Sequence, residues 1–146
     1  MPNEVSNKLD LDGDPADLDK LTKFVEGENG AMDFSKIIPS PSKCDDLYHW
    51  RCLHWGTKWN AVDAMLNGTV FRFITAWSAP LAVIKALSRL FPNVGIKIKW
   101  SDEGVGNNCG EAEFYEGGMT DIYSPCSRSE QRIFFEECWD VSSDDD

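Results

Sequence analysis

Residues 69–100 read TVFRFITAWSAPLAVIKALSRLFPNVGIKIKW, and this stretch decides the fold. Its first nine residues are rich in residues that favour β-strands. Apart from Arg72, apolar residues occupy both the odd and the even positions, which is typical of a strand covered on both faces. A helix is predicted to begin at Pro80 and to end before Pro92. The last seven residues, VGIKIKW, alternate between apolar and other side chains and predict a half-buried strand.

The start of the chain predicts a further strand and helix. Apolar and polar residues alternate from Val5 to Asp12, as in a strand with one buried face. Asp14 and Pro15 suit the N-cap and first turn of a helix, whose apolar stripe continues to Val25. Residues 110–115 also alternate, which predicts a hairpin with the strand before them.

The C-terminal sequence SRSEQRIFFEECWD, residues 127–140, predicts a helix over residues 128–139. Ser127 and Glu130 have the spacing of a capping box, and Phe134 stands four residues before Cys138. A strand is the alternative, because three large apolar residues of this stretch share a parity.

Residues 29–69 have little periodicity and predict an irregular insertion after the first helix, rich in Trp over residues 48–60. Within it we expect a short helical turn from Asn60 to Met65. The Trp-rich stretch is the expected cover for the second face of the strand at 69–77. The predicted order is therefore β-α-insertion-β-α-β-β, with two helices on one face of an antiparallel sheet. We predict one domain over residues 1–139, followed by an acidic tail over residues 140–146.

Charge is distributed unevenly along the 146 residues, whose formal net charge is −11. The last 46 residues contain 13 acidic and two basic side chains, whereas residues 29–100 carry a net +5. The overall charge makes direct binding to nucleic acid or to an anionic membrane unfavourable. Five scattered cysteines without a CxxC motif predict reduced thiols, and no secretion signal or apolar span is visible. We therefore expect a cytoplasmic protein without a membrane partner.

Several motifs spread along the chain resemble one family. They are MPN at the start, FSKIIP at residues 34–39, WGTKWNA at residues 55–61 and TAWSAP at residues 75–80. Together they are similar to the YubB family of ferredoxin-like domains, which occurs on plasmids and in phages and has no known function. The resemblance implies a ferredoxin-like α+β fold and an origin in a mobile element. It implies no reaction.

The WGTKWNA motif supplies the first candidate binding residues, Trp55, Lys58, Trp59 and Asn60. Such side chains can hold a planar or anionic ligand by stacking and hydrogen bonding. The competing interpretation, which we favour, is that the two Trp residues fill the core and Asn60 bonds to nearby backbone.

The acidic C-terminal segment supplies the second set of candidates, Glu130, Glu136, Glu137 and Asp140. The sequence favours a phage or mobile-element accessory protein that binds a host protein with a basic surface. An inhibitor of a nucleic-acid-binding defence complex, similar in action to an anti-CRISPR protein, would present such acids. One alternative is a single-stranded nucleic-acid binder that uses the sheet face with Lys97, Lys99 and Arg72. The other is an unrecognised small-molecule enzyme with a pocket beside the Trp-rich stretch.

Catalytic and metal-binding patterns are not evident in the sequence. His49, Cys52 and His54 match no closed zinc site, and no nucleophile–base pair can be named. Glu111 and Glu113 alternate with apolar residues and most simply mark a solvent face. We therefore predict no catalytic residue, no metal and no cofactor.

Overall fold

The computed structural model describes residues 3–28, 30–41 and 46–140, which form a sheet flanked by helices. The strands are β1 (Glu4–Asp12), β2 (Val62–Asn67), β3 (Val70–Ala76), β4 (Gly95–Asp102), β5 (Cys109–Tyr115) and β6 (Gly118–Tyr123). The helices are α1 (Pro15–Val25), α2 (Phe34–Ile37), α3 (Leu47–His54), α4 (Leu81–Leu90) and α5 (Arg128–Trp139). All paired strands are antiparallel, and their order across the sheet is β2-β3-β1-β4-β5-β6.

The centre of the sheet is a split β-α-β unit. Strands β3 and β4 are joined by α4, and β1 lies between them, paired with both. This is the ferredoxin-like α+β fold, and the strands and helices predicted around residues 69–100 are confirmed.

The main core lies on the face of the sheet that α1, α2 and α4 cover. Leu9 is fully buried at the centre of β1, opposite Phe71 of β3 and Ile98 of β4. From the helices, Ile84 and Leu87 of α4 complete this core without measurable exposure. The period-two pattern of the strands and the stripe on α4 therefore meet in one cluster.

The opposite face of the sheet carries α5, and here one sequence prediction is wrong. The sequence predicts the Trp-rich stretch on this face. Instead Trp55 packs edge-on against Phe34 at 5.7 Å between ring centroids, and Phe34 packs against Phe73 on the core face. The C-terminal helix is long enough, and apolar enough at Phe134 and Cys138, to cover the other side.

The bounds and the cap of α5 match the prediction, so the helix interpretation of residues 128–139 is correct and the strand alternative is not. Ser127 Oγ accepts a hydrogen bond from the Glu130 amide at 3.2 Å, as the capping-box pattern predicts. At the other end Asp140 adopts a left-handed conformation with a φ of 53° and ends the helix. The remainder of the predicted acidic tail, residues 141–146, lies outside the described residues.

Two edge strands were not predicted. Residues 62–67 form β2 rather than continuing a helical turn from Asn60, and residues 118–123 form β6. Both strands are exposed along nearly their whole length, so neither carries the apolar alternation that identifies a half-buried strand. β6 follows β5 through a two-residue turn at Glu116 and Gly117, both with positive φ, as in a tight hairpin.

Candidate functional site

The two most distinctive motifs, WGTKWNA and TAWSAP, are hydrogen-bonded to each other. Thr57 Oγ1 donates to the Ala76 carbonyl at 2.8 Å and accepts from the Ala76 amide at 3.2 Å. Ser78 Oγ donates to the Gly56 carbonyl at 2.5 Å. Gly56 has a φ of 77°, a conformation that favours glycine. These contacts give Gly56, Thr57 and Ser78 a structural role, because they bond the loop after α3 to the end of β3.

Asn60 joins the same loop to the start of α2. Its side-chain oxygen accepts from the amides of Phe34 at 2.9 Å and Ala61 at 2.8 Å, and its amide group donates to Asp33 at 2.8 Å. Partial burial raises the pKa of Asp33, but hydrogen bonds from Ser35 and Asn60 outweigh this effect and leave the pKa below its ordinary value. Both polar atoms of the Asn60 side chain are therefore hydrogen-bonded within the protein.

Trp55, Trp59 and Lys58 differ in how much surface they present. Trp55 is only 1% exposed and donates its indole N–H to the Ile38 carbonyl, whereas Trp59 is half-buried. The Lys58 ammonium lies 4.7 Å from the ring centroid of Trp77 and 5.0 Å from that of Tyr48. The lysine charge is thus held between two exposed aromatic rings.

Trp77 is a surface feature that the sequence did not single out. It is 52% exposed and has a φ of 67°, which is strained for a large side chain. Its backbone is held from both sides, because its amide donates to the Asn3 carbonyl and its carbonyl accepts from the Asn108 side chain. The structure thereby fixes the backbone of Trp77, whose exposed indole lies next to Lys58.

The lysines on the outer sheet face are paired with carboxylates. Lys99 Nζ lies 2.7 Å from a Glu137 oxygen and 3.8 Å from Glu111, and its side chain is only 17% exposed. Lys97 lies 3.6 Å from Glu111 and 3.9 Å from Glu113. The hydrogen bond from Lys99 holds the pKa of Glu137 below its ordinary value. Glu111 and Glu113, predicted to mark a solvent face, here neutralise the lysines beside them.

The C-terminal end of α5 is bonded to the middle of the sheet. Arg72 donates to the Glu137 carbonyl at 2.8 Å, and Ser6 Oγ donates to the Cys138 carbonyl. The indole N–H of Trp139 donates to the carbonyls of Ser101 and Asp102, at 3.0 Å each. The last carbonyls of a helix have no partner within the helix and need such donors. The negative end of the helix dipole also attracts the positive charge of Arg72. The helix is therefore fixed by specific polar contacts as well as by packing.

The four acidic candidates of the C-terminal segment have different environments. Glu130 accepts a hydrogen bond from the Tyr123 hydroxyl, and Glu137 is paired with Lys99. One carboxylate oxygen of Glu136 is buried without a hydrogen-bond partner among the described residues. Asp140 is exposed at the end of the helix. These acids lie on the α5 side of the sheet, whereas Trp55 lies on the core side, so the structure does not bring the two predicted sets together.

A groove of about 280 Å³ lies beside the end of α5, lined by Glu4, Glu103, Phe135 and Trp139. The Glu4 amide donates to a Glu103 carboxylate oxygen at 2.7 Å, and the two aromatic ring centroids are 6.3 Å apart. Within the described part of the chain, neither glutamate forms an ion pair. Phe135 and Trp139 are four residues apart, a spacing that places two side chains next to each other on a helix. No signal in the sequence pairs the glutamates, which are 99 positions apart.

Metal ligands do not cluster among residues 3–28, 30–41 and 46–140, where no group of three or more His, Cys, Asp or Glu side chains suits a metal ion. His49, Cys52 and His54 lie on α3, and Cys44 lies outside the described residues.

None of the described helices is long and apolar enough to cross a membrane.

Comparison with known proteins places the chain in a family. The family model described as the ferredoxin-like domain in Api92-like protein matches residues 54–142, more than half of the sequence. No curated protein matches the chain. The crystal structure of a protein api92 from Yersinia pseudotuberculosis is similar to 65% of this chain, at 15% identity and a TM-score of 0.49, and the match spans 40% of that protein. The chain belongs to the family of ferredoxin-like domains in Api92-like proteins.

Proposed function

We propose that this protein is an accessory protein of a phage or other mobile element, related to the YubB family, that acts by binding a basic host protein. The binding surface is the acidic side of the molecule around the C-terminal end of α5. Within this proposal the protein works in the cytoplasm of the host cell. Its partner is a nucleic-acid-binding defence complex, whose phosphate-binding groove the acidic surface occupies in the manner of an anti-CRISPR protein.

The observation that carries the proposal is the pairing of the outer sheet lysines. Lys99 is largely buried and paired with Glu137, and Lys97 faces Glu111 and Glu113. Cations that are already neutralised gain little from phosphates, since a phosphate would have to displace a carboxylate to reach them. This argues against the sheet-face nucleic-acid binder that the sequence left open.

Unpaired acids remain on the same side of the protein. Glu4 and Glu103 are exposed and form no ion pair among the described residues, and Asp140 is exposed directly after Trp139. The chain as a whole carries 25 acidic and 14 basic side chains, so its long-range field attracts a basic partner. The acidic residues of α5 and of the groove beside it are the part of this surface where such a partner would bind.

A capture experiment with matched variants tests the proposal. The tagged protein is incubated with host lysate after nuclease treatment, and captured proteins are identified and eluted with a salt gradient. The test variant is Glu136→Gln with Asp140→Asn, because Glu130 and Glu137 bond internally and their substitution would also disturb the fold. The control, Glu26→Gln with Glu28→Gln, removes the same formal charge from exposed positions after α1.

The proposal expects a basic protein that survives nuclease, elutes earlier from the α5 variant than from wild type, and is unaffected in the control. Equal weakening in both variants would mean that net charge alone matters and that α5 is not the site. Partners that disappear with nuclease would shift the case to nucleic-acid binding. If the binding is unchanged by salt and by the α5 substitutions, recognition through acidic residues is refuted.

A further inference from the structure

We propose that the groove formed by Glu4, Glu103, Phe135 and Trp139 is a binding site for an arginine side chain of the partner protein. This inference deepens the proposed function, since it names the group that the acidic surface recognises and where that group binds. The groove has a volume of about 280 Å³ and combines two carboxylates with two aromatic residues.

The charges that line the groove are complementary to a cation. Glu4 and Glu103 line the groove and are both exposed, and no Lys or Arg is among its lining residues. Both carboxylates line the same groove, so a cation that enters it is attracted by two negative charges. A cationic side chain is therefore the occupant that the charges favour.

Hydrogen bonds hold two of the residues that line the groove in place. One Glu103 oxygen accepts from the Glu4 amide at 2.7 Å, which fixes this carboxylate at the end of the sheet. The Trp139 indole is fixed by its two hydrogen bonds to the carbonyls of Ser101 and Asp102. A partner side chain would thus meet groups that are already in position, so binding would cost little further ordering.

The aromatic residues of the groove favour arginine over lysine. A guanidinium is planar, stacks on aromatic rings and is weakly hydrated, and its several N–H donors can reach two carboxylates at once. Phe135 and Trp139 provide two neighbouring rings inclined by 33°, and the carboxylates come from two separate residues. A lysine ammonium is strongly hydrated and concentrates its charge at one point, so it would use the aromatic walls less well.

The direct test is an NMR titration with three blocked tripeptides that differ only in the central residue: Gly-Arg-Gly, Gly-Lys-Gly and Gly-citrulline-Gly. Citrulline has nearly the shape of arginine without its charge. The indole N–H signal of Trp139 is assigned by its loss in Trp139→Phe and then followed in wild type, in Glu103→Gln and in the control Glu28→Gln. Glu28 is exposed and lies outside the groove.

We expect the arginine peptide to shift the Trp139 signal, the lysine peptide to do so more weakly and the citrulline peptide not at all. Glu103→Gln should weaken arginine binding about fivefold, which corresponds to an exposed charge pair, and Glu28→Gln should leave it unchanged. Because Gln retains an oxygen that can accept from the Glu4 amide, the variant keeps the groove's shape. No shift with the arginine peptide, or equal shifts with citrulline, would overturn the assignment.

The outcomes also separate this inference from the proposed function. One outcome of lysate capture is a basic partner whose binding is weakened by the α5 substitutions and unchanged by Glu103→Gln. In that case the groove assignment fails and the proposed binding function stands. If the arginine peptide binds in the groove but no basic partner is captured, the groove stands and the proposed function fails.

Discussion

Replacing Asn60 by Ala tests whether the WGTKWNA motif serves the fold or a ligand. Asn60 accepts hydrogen bonds from the Phe34 and Ala61 amides and donates one to Asp33. Alanine removes all three bonds at once. Because Phe34 is fully buried, its amide would be left without a partner where water cannot readily replace the lost bond.

The expected loss follows from these contacts. An unmade hydrogen bond at a buried donor costs about 1–3 kcal/mol, and the other two bonds are partly exposed and contribute less. We therefore expect Asn60→Ala to lower the free energy of unfolding by about 2–4 kcal/mol, a large part of the ~5–15 kcal/mol typical of a domain. Equilibrium urea denaturation followed by circular dichroism measures this change, provided that the denaturant slope is unchanged.

The matched control is Asn93→Ala. Asn93 is exposed, and its side chain forms no hydrogen bond among the described residues, so its replacement should change stability by less than about 0.5 kcal/mol. If Asn60→Ala unfolds at the wild-type urea concentration, the structural interpretation is wrong. Asn60 would then be available for a ligand, as the alternative interpretation of the motif supposes.

A second variant at the same position tests the electrostatic part of the argument. In Asn60→Asp an oxygen replaces the group that donates to Asp33, so two carboxylates face each other and the pKa of Asp33 rises. A raised carboxyl pKa makes the folded state more stable as the pH falls, because protonation relieves the repulsion. In wild type the pKa of Asp33 is lowered, so its contribution is present above the ordinary value of 3.8 and is lost as the pH falls. From pH 7 to pH 4 the contribution of Asp33 in wild type stays intact, so over this range the stability of Asn60→Asp should rise relative to wild type as the pH falls.

Three further predictions concern other parts of the structure. Thr57→Val removes the bonds to both backbone groups of Ala76, and urea denaturation should show a loss of about 1–3 kcal/mol; Thr57→Ser, which keeps the hydroxyl, should recover most of it. Glu137 has a lowered pKa, so wild type should be more stable than Glu137→Gln above pH 4.5, by less than about 1 kcal/mol because the carboxylate is 39% exposed, and this difference should vanish as the pH falls. A pH-independent difference would show that the charge of Glu137 is not what stabilises the contact. The thiols of Cys52 and Cys126 are exposed and should react with a thiol reagent in the native protein, whereas burial raises the pKa of Cys138 to about 12 and should delay its reaction until unfolding; equal rates at pH 8 would contradict this placement.

The central strands and helices were predictable because each buries one side in the shared core. β1, β3, β4 and β5 all contribute side chains to it, and this burial imposes the alternation that the sequence shows. The ends of α5 were equally predictable, since Ser127 and Glu130 are local signals that depend on no distant contact. In this chain, the periodicity of apolar residues and the helix-capping residues together predict the central strands and helices.

The parts that the sequence did not reveal depend on exposure or on distant pairing. The edge strands β2 and β6 bury few side chains, so no apolar pattern marks them. The contact between Lys99 and Glu137 joins residues 38 positions apart, and Glu4 meets Glu103 across 99 positions. A single sequence shows how many charges there are but not which of them meet. The groove and the neutralised lysines could therefore be found only in the folded chain.

The position of α5 bears on the two binding functions that the sequence left open. Without this helix, the outer sheet face would present Lys8, Arg72, Lys97 and Lys99 along adjacent strands, an arrangement suited to phosphates. With α5 in place, Arg72 donates to a helix carbonyl and Lys99 pairs with Glu137 beneath the ring of Phe134. A nucleic acid would have to break these contacts and displace the helix before it reached Arg72 or Lys99, and at the more exposed Lys97 it would compete with Glu111 and Glu113. A basic protein would meet Glu4, Glu103 and Asp140 without any rearrangement, so the docked helix favours the protein partner.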